Sequence, residues 1–133
     1  VEKRNHVARR YMQGLGKLPG IRFQVITANS KSTYKDFGIL IDKEKFGLDR
    51  DQFAACLQKE NVMTRKYFYP PIHMQKCYPE LNVEDSALPN TSHVSKSVLC
   101  LPMFSELVDE QIRGIVEAVS RVQHHAEEIQ GAP

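Results

Sequence analysis

Tryptophan is absent from this sequence, cysteine is scarce, and neither sign of charge dominates. Cys56, Cys77 and Cys100 are odd in number and widely spaced, so the sequence predicts reduced thiols in a cytoplasmic setting and no disulfide framework. The formal net charge of +2 is too small to indicate a nucleic-acid-binding protein. No apolar run approaches the roughly 20 residues that span a bilayer, and the first residues show no signal-peptide pattern. These absences argue against secreted, membrane-bound and nucleic-acid-binding classes.

The composition is that of one globular domain covering residues 1–133. Hydrophobic residues make up 41% of the chain and charged residues 26%, which is ordinary for a globular protein. A chain of this size buries roughly two-thirds of its extended surface on folding, which is enough for one hydrophobic core. Val1 already lies within a helical pattern and is not preceded by an initiator methionine, so we expect a piece of a longer protein.

Hydrophobic periodicity predicts an alternation of helices and strands. Helices are predicted for a first segment that ends at Pro19-Gly20 and for residues 48–60, 90–96 and 109–122. Strands or extended segments are predicted for residues 21–26, 33–41, 62–64 and 97–101, the last as a central strand. We expect irregular structure for residues 77–89 and a fraying, polar tail for residues 124–133. This order indicates an α+β two-layer sandwich, in which helices pack on one face of a small, mainly antiparallel sheet.

Two of the predicted helices carry recognisable end signals. Asp49 and Gln52 have the spacing of a capping box at the start of the 48–60 helix, and Asn61 suits a left-handed residue after its end. The 90–96 helix has Asn90 or Thr91 as its candidate N-cap.

Residues 64–75 are the most unusual stretch, and we call them the aromatic segment. Their sequence, TRKYFYPPIHMQ, combines two cations, three consecutive aromatic residues, a double proline and a histidine. Pro70 and Pro71 fix their own φ angles and favour an extended Tyr69, so we expect a stiff loop. Such a loop can present polar side chains to a ligand, or it can close a small core as an aromatic plug. Both interpretations fit the segment taken alone.

Motifs of enzyme active sites are weak in this chain. Gly14-Leu15-Gly16 lies inside the first helix without a preceding strand, so it does not indicate a phosphate-binding loop. His73 and Cys77 are four residues apart, but two ligands without a second pair do not predict a metal site. The sequence places neither Lys35 nor Lys66 in apolar surroundings that would make it a Schiff-base nucleophile. We therefore assign no catalytic residue and no metal ligand.

The candidate substrate-binding side chains are Arg65, Tyr67, Tyr69 and His73 of the aromatic segment, together with Tyr34 from the strand before it. Arginine holds a carboxylate or phosphate with two parallel hydrogen bonds, while tyrosine and histidine give directional hydrogen bonds to sugar hydroxyls. Phe68 and one of the two tyrosines are expected in the core. These residues indicate binding more than bond-making.

Five short motifs, taken in order, resemble the C-terminal small domain of the DegT-type sugar aminotransferases, which are pyridoxal-phosphate enzymes of the aspartate-aminotransferase fold. The motifs are RD at residue 50, NVMTR at 61, YPPIHMQ at 69, LPNT at 88 and VLCLPMF at 98. The resemblance extends from the first helix to the last. Val108 departs from it, because the family more often has a capping Thr or Ser before the last helix.

The resemblance implies transfer of an amino group from an amino acid, usually glutamate, to a keto-sugar carried on a nucleotide. It also implies a homodimer with the active site at the subunit interface. A large N-terminal domain would carry the Schiff-base lysine and most contacts to pyridoxal phosphate, while the segment from Arg65 to His73 would face the cleft. This chain alone is then expected neither to bind the cofactor tightly nor to transaminate.

A second hypothesis comes from a different functional class. The chain could be a free-standing α+β binding or regulatory module that self-associates through an apolar surface. Either hypothesis predicts exposed apolar side chains, since each needs a surface for another domain or another copy.

Overall fold

The computed structural model describes residues 1–77 and 83–131. Its helices are α1 (Glu2–Leu15), α2 (Lys43–Phe46), α3 (Arg50–Lys59), α4 (Pro89–Ser97), α5 (Asp109–His124) and α6 (Ala126–Gly131). Its strands are β1 (Ile21–Phe23), β2 (Phe37–Ile41) and β3 (Val98–Leu101), and 3₁₀ helices cover Ile72–Met74 and Asp85–Ala87. The predicted α+β class with a small antiparallel sheet is confirmed. Over these residues, no helix is both long and apolar enough to cross a membrane.

The sheet has the order β1-β2-β3, and both pairs of strands are antiparallel. Ile39, in the middle of β2, pairs with Phe23 on one side and with Leu99 on the other. The prediction of β3 as the central strand is therefore wrong. Its continuous apolar run has another cause: all four residues of β3 are buried, although only one neighbour is a regular strand.

One buried cluster joins residues of α1, β2, α3, β3 and α5. Phe37 of β2 lies at the centre of its aromatic part, with ring centroids of Tyr11, Tyr34 and Phe23 at 5.2, 5.9 and 6.0 Å. The hydroxyl of Tyr11 donates a hydrogen bond of 2.9 Å to the carbonyl oxygen of Pro102. Burial raises the pKa of Tyr11, which keeps this donor protonated.

Helix α3 begins and ends as its local sequence predicts. The Asp49 carboxylate accepts hydrogen bonds of 2.9 Å from the backbone N–H groups of Asp51 and Gln52, and the Gln52 side chain accepts one of 3.0 Å from the N–H of Asp49. Asn61 has φ of 59°, so the left-handed residue after the helix is confirmed. Both signals depend only on neighbouring residues, which is why the sequence reveals them.

Other boundaries differ from the prediction. Helix α4 begins at Pro89 with Leu88 as its N-cap, so the proposed caps Asn90 and Thr91 are wrong, because proline is favoured in the first helical position. The predicted fraying tail is instead helical: His124 ends α5, and the residues after His125 form α6, whose Ala126 is buried against Gly47. Residues 132 and 133 lie outside the described residues. Of the stretch expected to be irregular, residues 78–82 also lie outside them. Strands β1 and β2 are shorter than predicted, and α2 was not predicted.

Candidate functional site

The aromatic segment leaves the body of the protein from the outer edge of β3. Arg65 forms an antiparallel bridge with Cys100, in which N–H to O distances are 3.1 Å in one direction and 2.7 Å in the other. Residues 62–64, predicted as a short extended element, do not form a regular strand, and the bridge to β3 is made by the residue that follows them, Arg65. The start of the segment is fixed to the sheet by backbone hydrogen bonds.

Four residues of the segment form what we call the exposed wall: Arg65, Tyr67, Phe68 and Tyr69. The Arg65 guanidinium lies 5.9 Å from the ring centroid of Tyr67, and the Tyr67 ring lies 5.1 Å from that of Phe68. Phe68 is 67% exposed and Tyr69 is 53% exposed. The expectation that Phe68 is in the core is wrong, because this part of the segment projects outward. The peptide bonds between Tyr67 and Phe68 and between Tyr69 and Pro70 are cis.

A shallow groove of about 410 Å³ lies between the segment and helix α4. It is lined by Tyr67, Phe68, Pro71, Ile72, Asn90, Thr91, Val94 and Ser95. Apolar and aromatic side chains supply most of this lining, and its polar groups come from Asn90 and from three hydroxyl-bearing residues, Tyr67, Thr91 and Ser95. A concave, mainly apolar surface with a few polar groups is typical of a ligand-binding or domain-binding site.

Two charged clusters hold the segment at its two ends. At the first, the Asp51 carboxylate of α3 pairs with Lys66 and with Arg50, whose Nε lies 2.6 Å from Oδ1. Because that Nε makes no well-aligned hydrogen bond, Arg50 and Asp51 form an ion pair without a hydrogen bond. The hydrogen bond from Lys66, followed by the positive charge of Arg50 beside it, lowers the pKa of Asp51. Beside it, the Arg50 guanidinium lies over the ring of Tyr69, 4.8 Å from the centroid.

At the second cluster, His73 meets Asp85. The His73 side chain is only 6% exposed, and its Nε2 lies 3.5 Å from Oδ1 of Asp85, a close approach without a hydrogen bond of good geometry. Asp85 also accepts a hydrogen bond from the Ser92 hydroxyl and one of 2.7 Å from Lys96. These partners, Lys96 first, lower the pKa of Asp85 to about 2. This cluster ties the 3₁₀ helix Ile72–Met74 to helix α4.

Three of the five predicted substrate-binding residues, Arg65, Tyr67 and Tyr69, lie on the exposed wall. The His73 side chain is nearly buried and lies against Asp85. Tyr34 is 8% exposed and packs on Phe37 in the core, so it is not among the residues that line the groove.

Sequence reasoning gave no role to the residues that hold the segment in place, Arg50, Asp51 and Asp85. Arg50 is 3% exposed, although an arginine in the first turn of a helix is ordinarily solvated. No local pattern distinguishes these residues, because their partners are distant in sequence. Only the resemblance, which includes the pair Arg50-Asp51, marked that position.

The lysines of this chain do not fit the Schiff-base position of a pyridoxal-phosphate site. All of them are exposed. Lys66 and Lys96 are ion-paired with Asp51 and Asp85, and the second pairing raises the pKa of Lys96. A Schiff-base lysine needs the opposite, a desolvated amine with a lowered pKa.

Comparison with known proteins gives one consistent match. The sequence model of the DegT/DnrJ/EryC1/StrS aminotransferase family matches residues 1–120. The chain is 37% identical over 111 residues to the dTDP-4-amino-4,6-dideoxy-D-glucose transaminase of Escherichia coli, which covers 83% of this chain and 30% of the transaminase. The crystal structure of the aminotransferase TlmJ from Streptoalloteichus hindustanus matches with a TM-score of 0.78 and 28% identity, over 95% of this chain and 32% of TlmJ. DesV of S. venezuelae, crystallised with a ketimine intermediate, matches with a TM-score of 0.81 and 24% identity, over 95% of this chain and 32% of DesV. The chain thus spans about 30% of the length of these relatives.

Proposed function

The chain belongs to the DegT/DnrJ/EryC1/StrS aminotransferase family, and on this basis we propose that it is the small domain of an aminotransferase that acts on a nucleotide-linked keto-sugar. The observation that carries the proposal is the exposed wall, where the Arg65 guanidinium lies over the Tyr67 ring and neither they nor the Tyr69 phenol are buried. Its Escherichia coli relative bears the name of a dTDP-sugar transaminase, which supports a nucleotide-sugar substrate.

We assign the exposed wall to one side of the substrate cleft. The Arg65 guanidinium can bind the diphosphate of a nucleotide sugar with two hydrogen bonds, and the phenols of Tyr67 and Tyr69 can donate to sugar hydroxyls. His73, whose ring is enclosed beside Asp85, is proposed to support the wall from behind. Tyr34 remains a predicted contact that lies in the aromatic core. None of these residues is proposed to break or form a bond.

The cofactor chemistry is proposed to come from a second domain. Pyridoxal phosphate, when bound, supplies the electron sink for amino-group transfer. Because no lysine here fits the Schiff-base position, the proposal places that lysine in a large N-terminal domain, working in a cytoplasmic homodimer. The exposed apolar side chains Phe68, Ile72, Met74 and Val94 suit contact with that domain or with a second subunit.

Reductive trapping tests where the Schiff base forms. The 133-residue chain is treated with pyridoxal phosphate and then with borohydride, which converts a Schiff base into a stable amine that mass spectrometry can locate. We expect no stoichiometric label on any one lysine of this chain. In the gene product that includes the upstream domain, we expect one labelled lysine outside residues 1–133. Stoichiometric labelling of a single lysine within them would contradict the proposal.

Tyr69→Phe, made in that longer protein, tests the assignment of the exposed wall. Loss of one neutral hydrogen bond to substrate is expected to lower kcat/KM about 3- to 10-fold, with the thermal midpoint unchanged. Tyr11→Phe is the matched control, since it removes a core hydroxyl and is expected to lower stability without changing KM. An unchanged kcat/KM in Tyr69→Phe would show that the Tyr69 hydroxyl does not contact the substrate.

Light scattering distinguishes the alternative, a free-standing module that self-associates. A stable, homogeneous oligomer of this chain, unaffected by addition of the large domain, would favour the alternative. Binding to the large domain at the expense of self-association would favour the aminotransferase.

A further inference from the structure

Arg50 joins three parts of the fold through one buried guanidinium. Its side chain begins in the first turn of α3 and is 2% exposed. Nη1 donates hydrogen bonds of 3.0 Å to the carbonyl oxygen of Ser95 and 3.3 Å to that of Val98. These two carbonyls lie at the C-terminal end of α4 and at its C-cap, where a positive charge is favourable. The orientation of the guanidinium plane is thus fixed by backbone groups.

The ring of Tyr69 lies against that fixed guanidinium. The Arg50 Cζ lies over the ring at 4.8 Å from its centroid, within the range of a cation–π contact. Arg50 is held by α3 and α4, whereas Tyr69 belongs to a segment outside the regular sheet, so the arginine is the more firmly held member of this pair. The pair Arg65 and Tyr67 differs in this respect, since Arg65 is itself exposed and its Cζ lies 5.9 Å from the Tyr67 centroid.

We propose that Arg50 is a positioning residue, which holds the Tyr69 ring in the exposed wall and so directs its hydroxyl toward the substrate. The part concerning the substrate rests on the proposed function. A lysine cannot replace Arg50, because its ammonium is a compact charge without the planar face on which a ring can stack. Lysine can nevertheless donate to the carbonyls at the end of α4, so Arg50→Lys separates the stacking role from the capping role.

Nuclear magnetic resonance of the 133-residue chain tests the contact without removing Arg50. Protons that lie over an aromatic ring are shifted upfield by its ring current. We expect the Arg50 side-chain protons to show such a shift in the wild type, to keep it in Tyr69→Phe, and to lose it in Tyr69→Leu. Tyr67→Leu is the matched control and is expected to leave the Arg50 shift in place. Ordinary shifts in the wild type, or shifts that survive Tyr69→Leu, would overturn the proposal.

Kinetics of the longer protein then test whether the position of the ring matters. We expect Arg50→Lys to lower kcat/KM by the same factor as Tyr69→Phe, and the double variant to be no worse than either. Fully multiplicative losses, or normal kinetics in Arg50→Lys, would overturn the positioning role. A wild-type protein without aminotransferase activity would overturn the proposed function instead, while the resonance experiment would still decide whether Arg50 and the Tyr69 ring are in contact.

Discussion

Nε2 of His73 faces Oδ1 of Asp85 at 3.5 Å, and through this contact one carboxylate joins the aromatic segment to helix α4. Asp85 also receives the Ser92 hydroxyl and the Lys96 ammonium from that helix. All of these interactions are stronger when Asp85 is ionised, so the link between segment and helix depends on pH.

The first prediction is that this link weakens in acid. Lys96, with Ser92 and His73, lowers the pKa of Asp85 from 3.8 to about 2 in the folded protein. A depressed pKa contributes stability that is present above about pH 4 and is lost as the pH falls through about 2. Urea unfolding at several pH values should therefore show Asp85→Asn less stable than the wild type at pH 6, with a difference that shrinks between about pH 4 and 2.

The control for this experiment is Glu127→Gln, an exposed carboxyl on α6. Its unfolding midpoint should follow that of the wild type over the whole pH range. A difference between Asp85→Asn and the wild type that stays constant down to pH 2 would show that the carboxylate charge is not what stabilises the link.

The second prediction concerns two glycines in neighbouring helices. A Cβ atom at Gly14 of α1 would approach Cγ1 of Val116 to 2.7 Å, whereas one at Gly114 of α5 would meet nothing within 4 Å. Alanine improves helix propensity by about 1 kcal/mol at either position. We expect Gly114→Ala to gain about that amount, and Gly14→Ala to lose about 1 kcal/mol because α1 and α5 must separate.

Chemical denaturation of the two variants checks this prediction, and Val116→Ala should rescue Gly14→Ala by removing the clashing methyl groups. If Gly14→Ala were as stabilising as Gly114→Ala, the close approach of the two helices would be wrong.

The third prediction compares the N-caps of α3 and α5. Asp49 accepts hydrogen bonds from two backbone N–H groups, so Asp49→Ala should lower the free energy of unfolding by about 1 kcal/mol. Val108, the N-cap of α5, has no side-chain oxygen, and only Gln111 reaches back to its N–H. Val108→Thr should therefore raise the free energy of unfolding, by about 0.5 to 1 kcal/mol. Thermal unfolding would contradict this if both variants moved the midpoint in the same direction.

Sequence reasoning succeeded where a feature depends on a few neighbouring residues. The cap at Asp49, the left-handed Asn61 and the helix of residues 109–122 are local features, and the structure confirms all three. The predicted start of α4 is too late. The prediction relies on the preference of Asn and Thr for the N-cap, whereas in the structure proline occupies the first turn of the helix. The centre of the sheet was misplaced because a strand covered on both faces has the same apolar pattern whether or not it lies at the centre.

The candidate site was also predictable only where its residues are neighbours in the sequence. Arg65, Tyr67 and Tyr69 stand out because they are close together in sequence. Arg50 and Asp85 hold that segment from other elements, and a charged residue that becomes buried through distant partners leaves no periodic signal. Phe68 was expected in the core because large apolar side chains usually lie there, but the outward path of the segment exposes it.

The bridge between Arg65 and Cys100 has a consequence for aggregation. Free N–H and C=O groups along a sheet edge are a template on which another chain can add a strand. One edge of this sheet is β1, which is only three residues long, and at the other edge the groups of Cys100 are occupied by Arg65. Few backbone N–H and C=O groups at the two sheet edges are therefore available to pair with an added strand. A partner would contact the nearby apolar residues through their side chains instead.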